Sequence, residues 1–401
     1  VHVSVSQIQD AARVLKGRII RTPLVFSPTL SRMFGADMYL KLENLQKTGS
    51  FKVRGATYKI LKNRDRLGPH GVVAASAGNH AQGVALAARQ AGVPAVIVMP
   101  VWASITKQIA TRNYGAEVIL HGTSLGESLE KAMALSREGR AFIHPFDDGD
   151  IMAGQGTLGL EILEELPDPD LVLVPVGGGG LIGGVATAVK AQRPQTQVIG
   201  VEAAVCPSAS EALRTGKLVA VGGSQSIADG IAVKRLGERT FQVIRETVDR
   251  VATVDEEHIA EALLLLLERK KVLAEGAGAV PLGALLTGAV CCQKGQKVVL
   301  VISGGNVDSP LLGRVLTKGL LKSGRLMRFT VQVDDVPGSL SRLLSVVAAQ
   351  GANVLHIYHD RNVPDLPLNV TRVELEVETR GFHHMEDLEK ALKEAGYQLV
   401  P

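Results

Sequence analysis

Glu43-Asn44-Leu45-Gln46-Lys47-Thr48-Gly49-Ser50-Phe51-Lys52-Val53-Arg54-Gly55-Ala56 is the stretch around which the rest of the chain falls into place. Ahead of it, Met38–Leu42 reads as a strand. Thr48-Gly49-Ser50 reads as a turn, and a helix follows through Tyr58 and Leu61, with Thr48 or Ser50 as its cap. Lys52 then lies in the first turn, where an ammonium opposes the helix macrodipole. A cation there needs a nearby anion or a different chemical state. A Schiff base to an aldehyde that carries a phosphate supplies both. A surface lysine at a helix start is the plainer alternative, and Lys47 and Arg54 fit it.

Downstream, strand and helix alternate from Gly71 to about Pro145. Val72–Ala75, Ala95–Met99 and Val118–Leu120 are apolar runs; Ala81–Gln90, Ile105–Tyr114 and Leu125–Ser136 have helical periodicity. Such repeats predict a parallel sheet covered by helices on both faces. The first strand empties into Ser76-Ala77-Gly78-Asn79-His80, a small-residue junction that offers backbone N–H groups to an anion. An ordinary βα turn would look the same. Leu171–Val176 is an apolar run of a central parallel strand. It leads into Gly177-Gly178-Gly179-Gly180-Leu181 and a helix to about Gln192, a place for a phosphate at a helix N-terminus. Lys297–Ile302 is another buried strand, and Ser303 at its carboxyl end points into the ligand crevice of an open α/β sheet. Val254–Lys270 is an amphipathic helix capped by Asp255, and Ser6-Gln7-Ile8-Gln9 opens a short helix to about Leu15 with a capping box.

A rival reading starts from the same glycines. Gly178–Gly183 satisfies G-x-G-x-x-G, and the next strand, near Val198–Val201, ends at Glu202, where a ribose-binding acid is expected. That describes an NAD(P)-dependent oxidoreductase. It leaves the Lys52 stretch and the Asn79 loop unexplained, and βα units precede its fingerprint.

Taken in order, the lysine stretch, the Asn79 loop, the glycine loop and Ser303 resemble the cofactor-binding segments of fold type II pyridoxal-phosphate enzymes, in particular threonine dehydratase and its relative serine racemase. The resemblance covers the chain to about residue 320 and includes Asp229-Gly230-Ile231-Ala232-Val233-Lys234-Arg235. It implies a tryptophan synthase β-like core of two α/β domains, with a small subdomain of about 70–147 inserted in the large one. It implies pyridoxal 5'-phosphate on Lys52, with Phe51 beside it. Asn79 would meet the cofactor's phenolic oxygen, Gly177–Leu181 its phosphate and Ser303 its pyridine nitrogen. The substrate carboxylate would sit on Ser76, Ala77, Gly78, Asn79 and His80, with His80 otherwise structural. The implied reaction is dehydration and deamination of L-threonine to 2-oxobutanoate and ammonia, and more weakly of L-serine to pyruvate. Serine racemase places a serine where this chain has Ala77, so little racemisation is expected. Glu202, with the Cys206 carbonyl, is the candidate for a divalent-cation site seen in relatives; the carboxylate serine racemase carries six residues on is Ser208 here.

After Lys318–Arg325, read as a connector with a linker at 321–326, the texture changes. Leu326–Val333, Asn353–His359, Val370–Glu378 and a short last strand alternate with helices to about Gln350 and over Met385–Ala395. This βαββαβ order is ferredoxin-like. The Asp335-Val336-Pro337-Gly338-Ser339-Leu340 turn and Asn353 resemble an ACT domain (327–401), which pairs with its copies and binds small amino acids. Isoleucine is the expected effector, with valine opposing it; a structural dimerisation cap is the alternative. A homo-oligomer, dimer or tetramer, follows, and a non-catalytic amino-acid sensor remains a third function class.

The bulk numbers set limits. Of 401 residues 46% are hydrophobic, 21% charged and 43 are Gly, which fits a globular α/β protein. Aromatics are 3% and the net charge of +4 is scattered, which disfavours nucleic-acid binding. Cys206, Cys291 and Cys292 form no disulfide or metal spacing and fit a reducing cytoplasm; the last two read as filler at a helix end. Gly276–Cys292 is apolar but broken by glycines and Pro281, a buried helix rather than a membrane span.

Overall fold

The computed structural model describes residues 3–223 and 225–400. The chain divides into two units, Val1–Asp308 and Ser309–Pro401. At the start of the first, Ser4 caps helix α1 (Val5–Leu15) and exchanges bonds with Gln7, a capping box two residues ahead of the expected Ser6. Strand β1 (Leu24–Phe26), helix α2 (Pro28–Phe34) and strand β2 (Asp37–Leu42) follow. Helix α3 (Lys52–Lys62) begins where expected, but neither Thr48 nor Ser50 caps it. Phe51 takes the cap position without a side-chain bond, and both hydroxyls are buried with no hydrogen-bond partner among the described residues. Tertiary pairing has displaced the local cap: Ser50 bridges Gly304, and the Phe51 N–H donates to the Ser303 carbonyl.

The βα repeats form a sheet of their own. It comprises β3 (Val72–Ala75), β4 (Ala95–Met99), β5 (Glu117–Leu120) and β6 (Ala141–Phe142), with helices α4 (Asn79–Ala91), α5 (Ile105–Asn113) and α6 (Leu125–Arg137) between them. The order is β5-β4-β3-β6 and every pairing is parallel. The inner face of α4 is nearly all small, with Ala81, Ala85 and Ala88 buried. Small residues let α4 lie close to α3. A Cβ at Gly83 would stand 3.1 Å from the Lys52 carbonyl carbon, so a side chain there would press on the lysine's backbone.

Helix α7 (Gly149–Glu165) leads back to a larger sheet. It contains β7 (Leu171–Pro175), β8 (Gln197–Ala203), β9 (Arg250–Val254) and β10 (Lys297–Ile302), in the order β1-β2-β10-β7-β8-β9. Only β1 runs antiparallel to its neighbour. Helices α8 (Gly180–Gln192), α9 (Ser208–Thr215), α10 (Glu238–Thr247), α11 (Glu256–Leu265) and α12 (Gly276–Leu286) complete the unit. Asp255 caps α11, as the sequence suggests, and the helix runs on as a π-turn over Leu266–Lys270. The apolar 276–292 stretch is a buried helix only as far as Leu286, so Cys291 and Cys292 lie in the loop beyond it. Among the described residues no helix is long and apolar enough to cross a membrane. Because β7 and β10 are neighbours at the sheet centre, the glycine loop and Ser303 leave it side by side, where open α/β sheets hold their ligands.

The second unit opens with helix α13 (Ser309–Lys322), so most of the stretch read as a connector is helical and the expected 321–326 linker shrinks to residues 323–325. The expected order then appears: β11 (Leu326–Asp334), α14 (Ser339–Ala349), β12 (Asn353–Asp360), β13 (Val370–Glu378), α15 (Phe382–Glu394) and β14 (Leu399–Val400). The sheet order is β12-β13-β11-β14, all antiparallel. Alternate residues Phe329, Val331 and Val333 of β11 and Val373, Leu375 and Val377 of β13 are buried against Leu343 and Leu388, the period-two pattern of a sheet covered on one face.

Candidate active site

One cavity of about 610 Å³, a size suited to a small cofactor with its substrate, gathers residues from both sheets of the first unit. Phe51, Lys52, Ser76, Ala77, Gly78, Asn79, His80, Gly177, Gly178, Gly179, Gly180, Leu181 and Ser303 all line it. These elements lie far apart in sequence. The α3 N-terminus, the two βα junctions and the end of β10 bring them to one place.

Lys52 is the first residue of α3, and its Nζ donates to the Pro145 carbonyl at 2.8 Å. Burial pulls its pKa down to about 8, and the negative charge of Glu275 opposes only part of that. At neutral pH a much larger fraction of it is neutral and nucleophilic than of an ordinary lysine. The other lysine of the cavity, Lys107 on α5, has gone the opposite way. Burial lowers it, but Asp229 at 3.2 Å and Asp308 at 3.5 Å outweigh that and hold it protonated. His80 donates from Nε2 to the Ile143 carbonyl at 2.9 Å; burial, then the Lys52 charge, push it down to about 3, so it is neutral and structural.

Pyridoxal phosphate fits what is present. The α8 N-terminus meets the glycine loop, and Gly179 sits at φ +92, a backbone shape that favours glycine. A Cβ at Gly178 would stand 2.2 Å from the Phe146 ring, and one at Gly180 3.0 Å from its backbone. Phe146 lines the cavity as well, so the loop must be bare where it meets that ring, and its backbone lies at a helix N-terminus, the arrangement that takes a phosphate. An amine of lowered pKa stands across the same cavity for an aldehyde.

Two groups of the site lie outside the four expected cofactor segments. Glu275 precedes α12, lines the cavity and is almost fully buried. Its two oxygens accept from Asn79 Nδ2 at 2.7 and 3.0 Å, and the Asn306 N–H also donates to it. Burial raises its pKa to about 7. Asn306 fixes the other end of Asn79: its Nδ2 donates to Asn79 Oδ1 at 2.8 Å and to the Thr48 carbonyl at 2.7 Å. The second group is Lys107 with Asp229 and Asp308, joined by Ser104 at 3.2 Å from Asp308. For Glu275, only the small-residue run that follows it is a hint; a partner 196 residues away leaves no local pattern.

Glu202 lies outside the cavity. Its carboxylate accepts from the Ala209 and Ser210 N–H groups at 2.9 and 2.8 Å, capping α9. It is therefore not turned toward a ribose, and the dinucleotide reading loses its acid. Nor do three or more His, Cys, Asp or Glu side chains gather to hold a metal among the described residues. In the second unit the five expected regulatory residues make different contacts. Ser339 lines a cavity of about 600 Å³ with Asp334, Arg342 and Tyr397, and its Oγ accepts from Arg342 at 2.8 Å. Asp335 instead pairs with Arg361, Asn353 bonds Glu378, Gly338 takes the α14 cap at φ +90, and Leu340 packs on the core.

Comparison with known proteins agrees with this geometry. Residues 15–304 match the family described as pyridoxal-phosphate dependent enzyme. An L-threonine ammonia-lyase of Thermotoga maritima is 49% identical over 398 residues, 99% of either chain. A crystal structure of a T.th. threonine deaminase superposes with a TM-score of 0.72 at 45% identity, covering 76% of this chain and 99% of that one. Maize serine racemase gives 0.75 at 34% identity, covering 80% and 99%. With the core of the fold type II enzymes, a lysine at the cavity and a family match across nearly all of the first unit, this chain belongs to the pyridoxal-phosphate dependent enzymes.

Proposed function

We propose that the protein dehydrates and deaminates L-threonine to 2-oxobutanoate and ammonia, and more slowly L-serine to pyruvate. The observation that carries this is the likeness to an L-threonine ammonia-lyase over 99% of both chains, on a cavity built around one low-pKa lysine. Pyridoxal phosphate, when bound, supplies the electron sink for loss of the Cα proton and the β-hydroxyl. Lys52 would hold it, Gly177–Leu181 would take its phosphate, Asn79 its phenolic oxygen and Ser303 its ring nitrogen. The Lys52 amine removes the Cα proton, for which a pKa of about 8 suits it. The Ser76–Asn79 junction at the α4 N-terminus orients the substrate carboxylate. Cα–H and Cβ–OH leave together as water, and hydrolysis of the enamine so released yields the 2-oxoacid and ammonia, with no net redox change. A hydroxyl at Ser303, unlike a carboxylate, does not keep the ring nitrogen protonated, which favours elimination. Ala77 has no proton to deliver to the far face of the substrate, which separates this reading from racemisation.

The test is the visible spectrum of the purified protein with L-threonine. A yellow band that threonine perturbs, with 2-oxoacid accumulating and little D-serine formed from L-serine, is expected. A yellow protein without 2-oxoacid would point to another pyridoxal-phosphate reaction. A protein that stays colourless with added pyridoxal phosphate would overturn the reading.

We assign the second unit, on its βαββαβ order and its Asp335–Leu340 turn, as an ACT-type regulatory domain of a cytoplasmic homo-oligomer. Isoleucine is the proposed inhibitor and valine its opponent, which places the enzyme at the entry to isoleucine synthesis. Isoleucine is expected to raise the KM for threonine or change the oligomer's size, and valine to reverse it. If neither amino acid alters kinetics or assembly, the unit is a structural cap.

A further inference from the structure

A phosphate cup needs its peptide groups turned one way, N–H groups toward the anion and carbonyl oxygens away from it. Successive glycines do not set that by themselves, because their peptides turn freely. In Gly177–Gly180 two carbonyls are held from behind. The Gly179 carbonyl accepts from the Gly183 N–H at 2.9 Å, in the first turn of α8. The Gly178 carbonyl accepts from a side chain, the Thr240 hydroxyl on α10, at 2.7 Å. That hydroxyl has a second acceptor, the Gly237 carbonyl, at 3.2 Å; with one proton to give, it gives it to the nearer oxygen.

Thr240 is fully buried and lies behind the loop, outside the cavity lining. A Cβ at Gly179 would stand 2.9 Å from Thr240 Cβ and 2.7 Å from Ile244 Cδ1, so α10 is pressed against the loop. The strap between β6 and α7 fixes α10 in turn. Gly237, at the cap position, has no side chain to offer. The Asp147 carboxylate supplies the cap, accepting from the Glu238, Arg239 and Thr240 N–H groups at 3.1, 2.9 and 3.0 Å. Its neighbour Phe146 bears the ring that meets Gly178, and the Pro145 carbonyl accepts from Lys52. One short strap thus touches the lysine directly and the glycine loop through Thr240.

We propose that Thr240 is a positioning residue for the cofactor's phosphate: its hydroxyl, placed by Asp147, turns the Gly178 carbonyl outward and so aims the Gly179 N–H at the anion. A trans peptide holds its C=O and N–H on opposite sides. With the carbonyl drawn toward α10, the N–H of the same peptide faces the cavity that Gly179 lines. Without the hydroxyl this peptide is free to rotate, and its inward orientation would set a carbonyl oxygen against the phosphate.

The inference rests on the reading that pyridoxal phosphate binds with its phosphate on this loop. Its test compares two aldehydes that differ only in the phosphate, pyridoxal phosphate and pyridoxal, titrated into the cofactor-free protein and followed by the yellow band. Thr240→Val keeps the shape and removes the donor. Its Kd for pyridoxal phosphate is expected to rise about tenfold, and its Kd for pyridoxal to stay at the wild-type value. Thr240→Ser, which keeps the hydroxyl, should bind both as the wild type does. If the Val variant does not fold, Thr240→Ala beside Thr240→Ser carries the same comparison. An unchanged Kd for pyridoxal phosphate without the hydroxyl would overturn the proposal. So would an equal loss for pyridoxal, or a Ser variant as weak as Val, because the cavity as a whole and not its phosphate cup would then have failed. A wild type that binds pyridoxal as tightly as pyridoxal phosphate would also overturn it, while leaving Lys52 its aldehyde. A wild type that binds neither would sink the cofactor reading itself.

Discussion

Lys52→Ala is expected to reduce 2-oxoacid formation from L-threonine by about four orders of magnitude or more, with the protein still folded. The loss is large because one amine has two tasks, holding the cofactor and moving the Cα proton. No neighbour can take over. Lys107, the second lysine of the cavity, is held protonated between Asp229 and Asp308, and His80 is committed to the Ile143 carbonyl. The fold should survive because the Lys52 amine makes one hydrogen bond, to Pro145, and has its pKa lowered by burial. Alanine also suits the first turn of α3. Single-turnover assays with threonine, with circular dichroism and cofactor retention after desalting, check this. A variant keeping more than a few per cent of the wild-type rate would remove Lys52 from the chemistry.

The second large effect is on stability. Arg54, two residues beyond Lys52, is fully buried. Its guanidinium binds Glu43 through Nε and Nη2 at 2.7 Å each, and Glu161 through Nη1 and Nη2 at 2.7 and 2.9 Å. Glu43 also accepts from the Thr22 hydroxyl, and Glu161 pairs at 2.8 Å with Lys41, another fully buried cation. Burial works against the Arg54 charge, and Glu43, then Glu161, more than restore it, so its pKa lies above the ordinary value. Arg54→Ala leaves two carboxylates in the interior short of a partner and should cost about 3–5 kcal/mol. Arg54→Met combined with Glu43→Leu leaves one carboxylate short instead of two; that one, Glu161, keeps Lys41, so the change should cost clearly less than Arg54→Ala. Urea denaturation of the cofactor-free variants measures both. Equal losses in the two would mean that packing volume, not charge balance, sets the cost.

What could be read in advance, and what could not, follows from how locally each feature is encoded. The glycine loop, the Asn79 junction and Ser303 each sit where a strand ends, so a few consecutive residues announce them. The strands themselves are apolar runs that keep their meaning without context, and Lys297–Ile302 matches its expected span. The Thr48 and Ser50 caps failed because the chain there pairs with Ser303 and Gly304, which local capping rules do not see. Lys318–Arg325 looked like a connector because of its glycines and lysines, yet Ser309–Lys322 carries enough apolar periodicity to form a helix. Glu275 was invisible for a different reason. Its contacts come from two asparagines of distant segments, and an isolated Glu before a run of small residues is indistinguishable from any other.

The order in which the chain is made has its own bearing on the site. Strand β2 pairs over its whole length with β10, from Asp37 opposite Lys297 to Leu42 opposite Ile302. The 72–142 sheet, by contrast, is assembled from contiguous residues. On the ribosome the smaller sheet can close early, while Lys52 waits for Ser303 and its neighbours to be synthesised. At ordinary translation speeds that wait lasts roughly ten to fifty seconds. During it the reactive lysine has no pocket, no phosphate cup opposite a serine wall, and no central sheet behind it. Capture of the cofactor is thereby tied to the synthesis of β10: a nascent chain halted before that strand carries the nucleophile and lacks the enzyme.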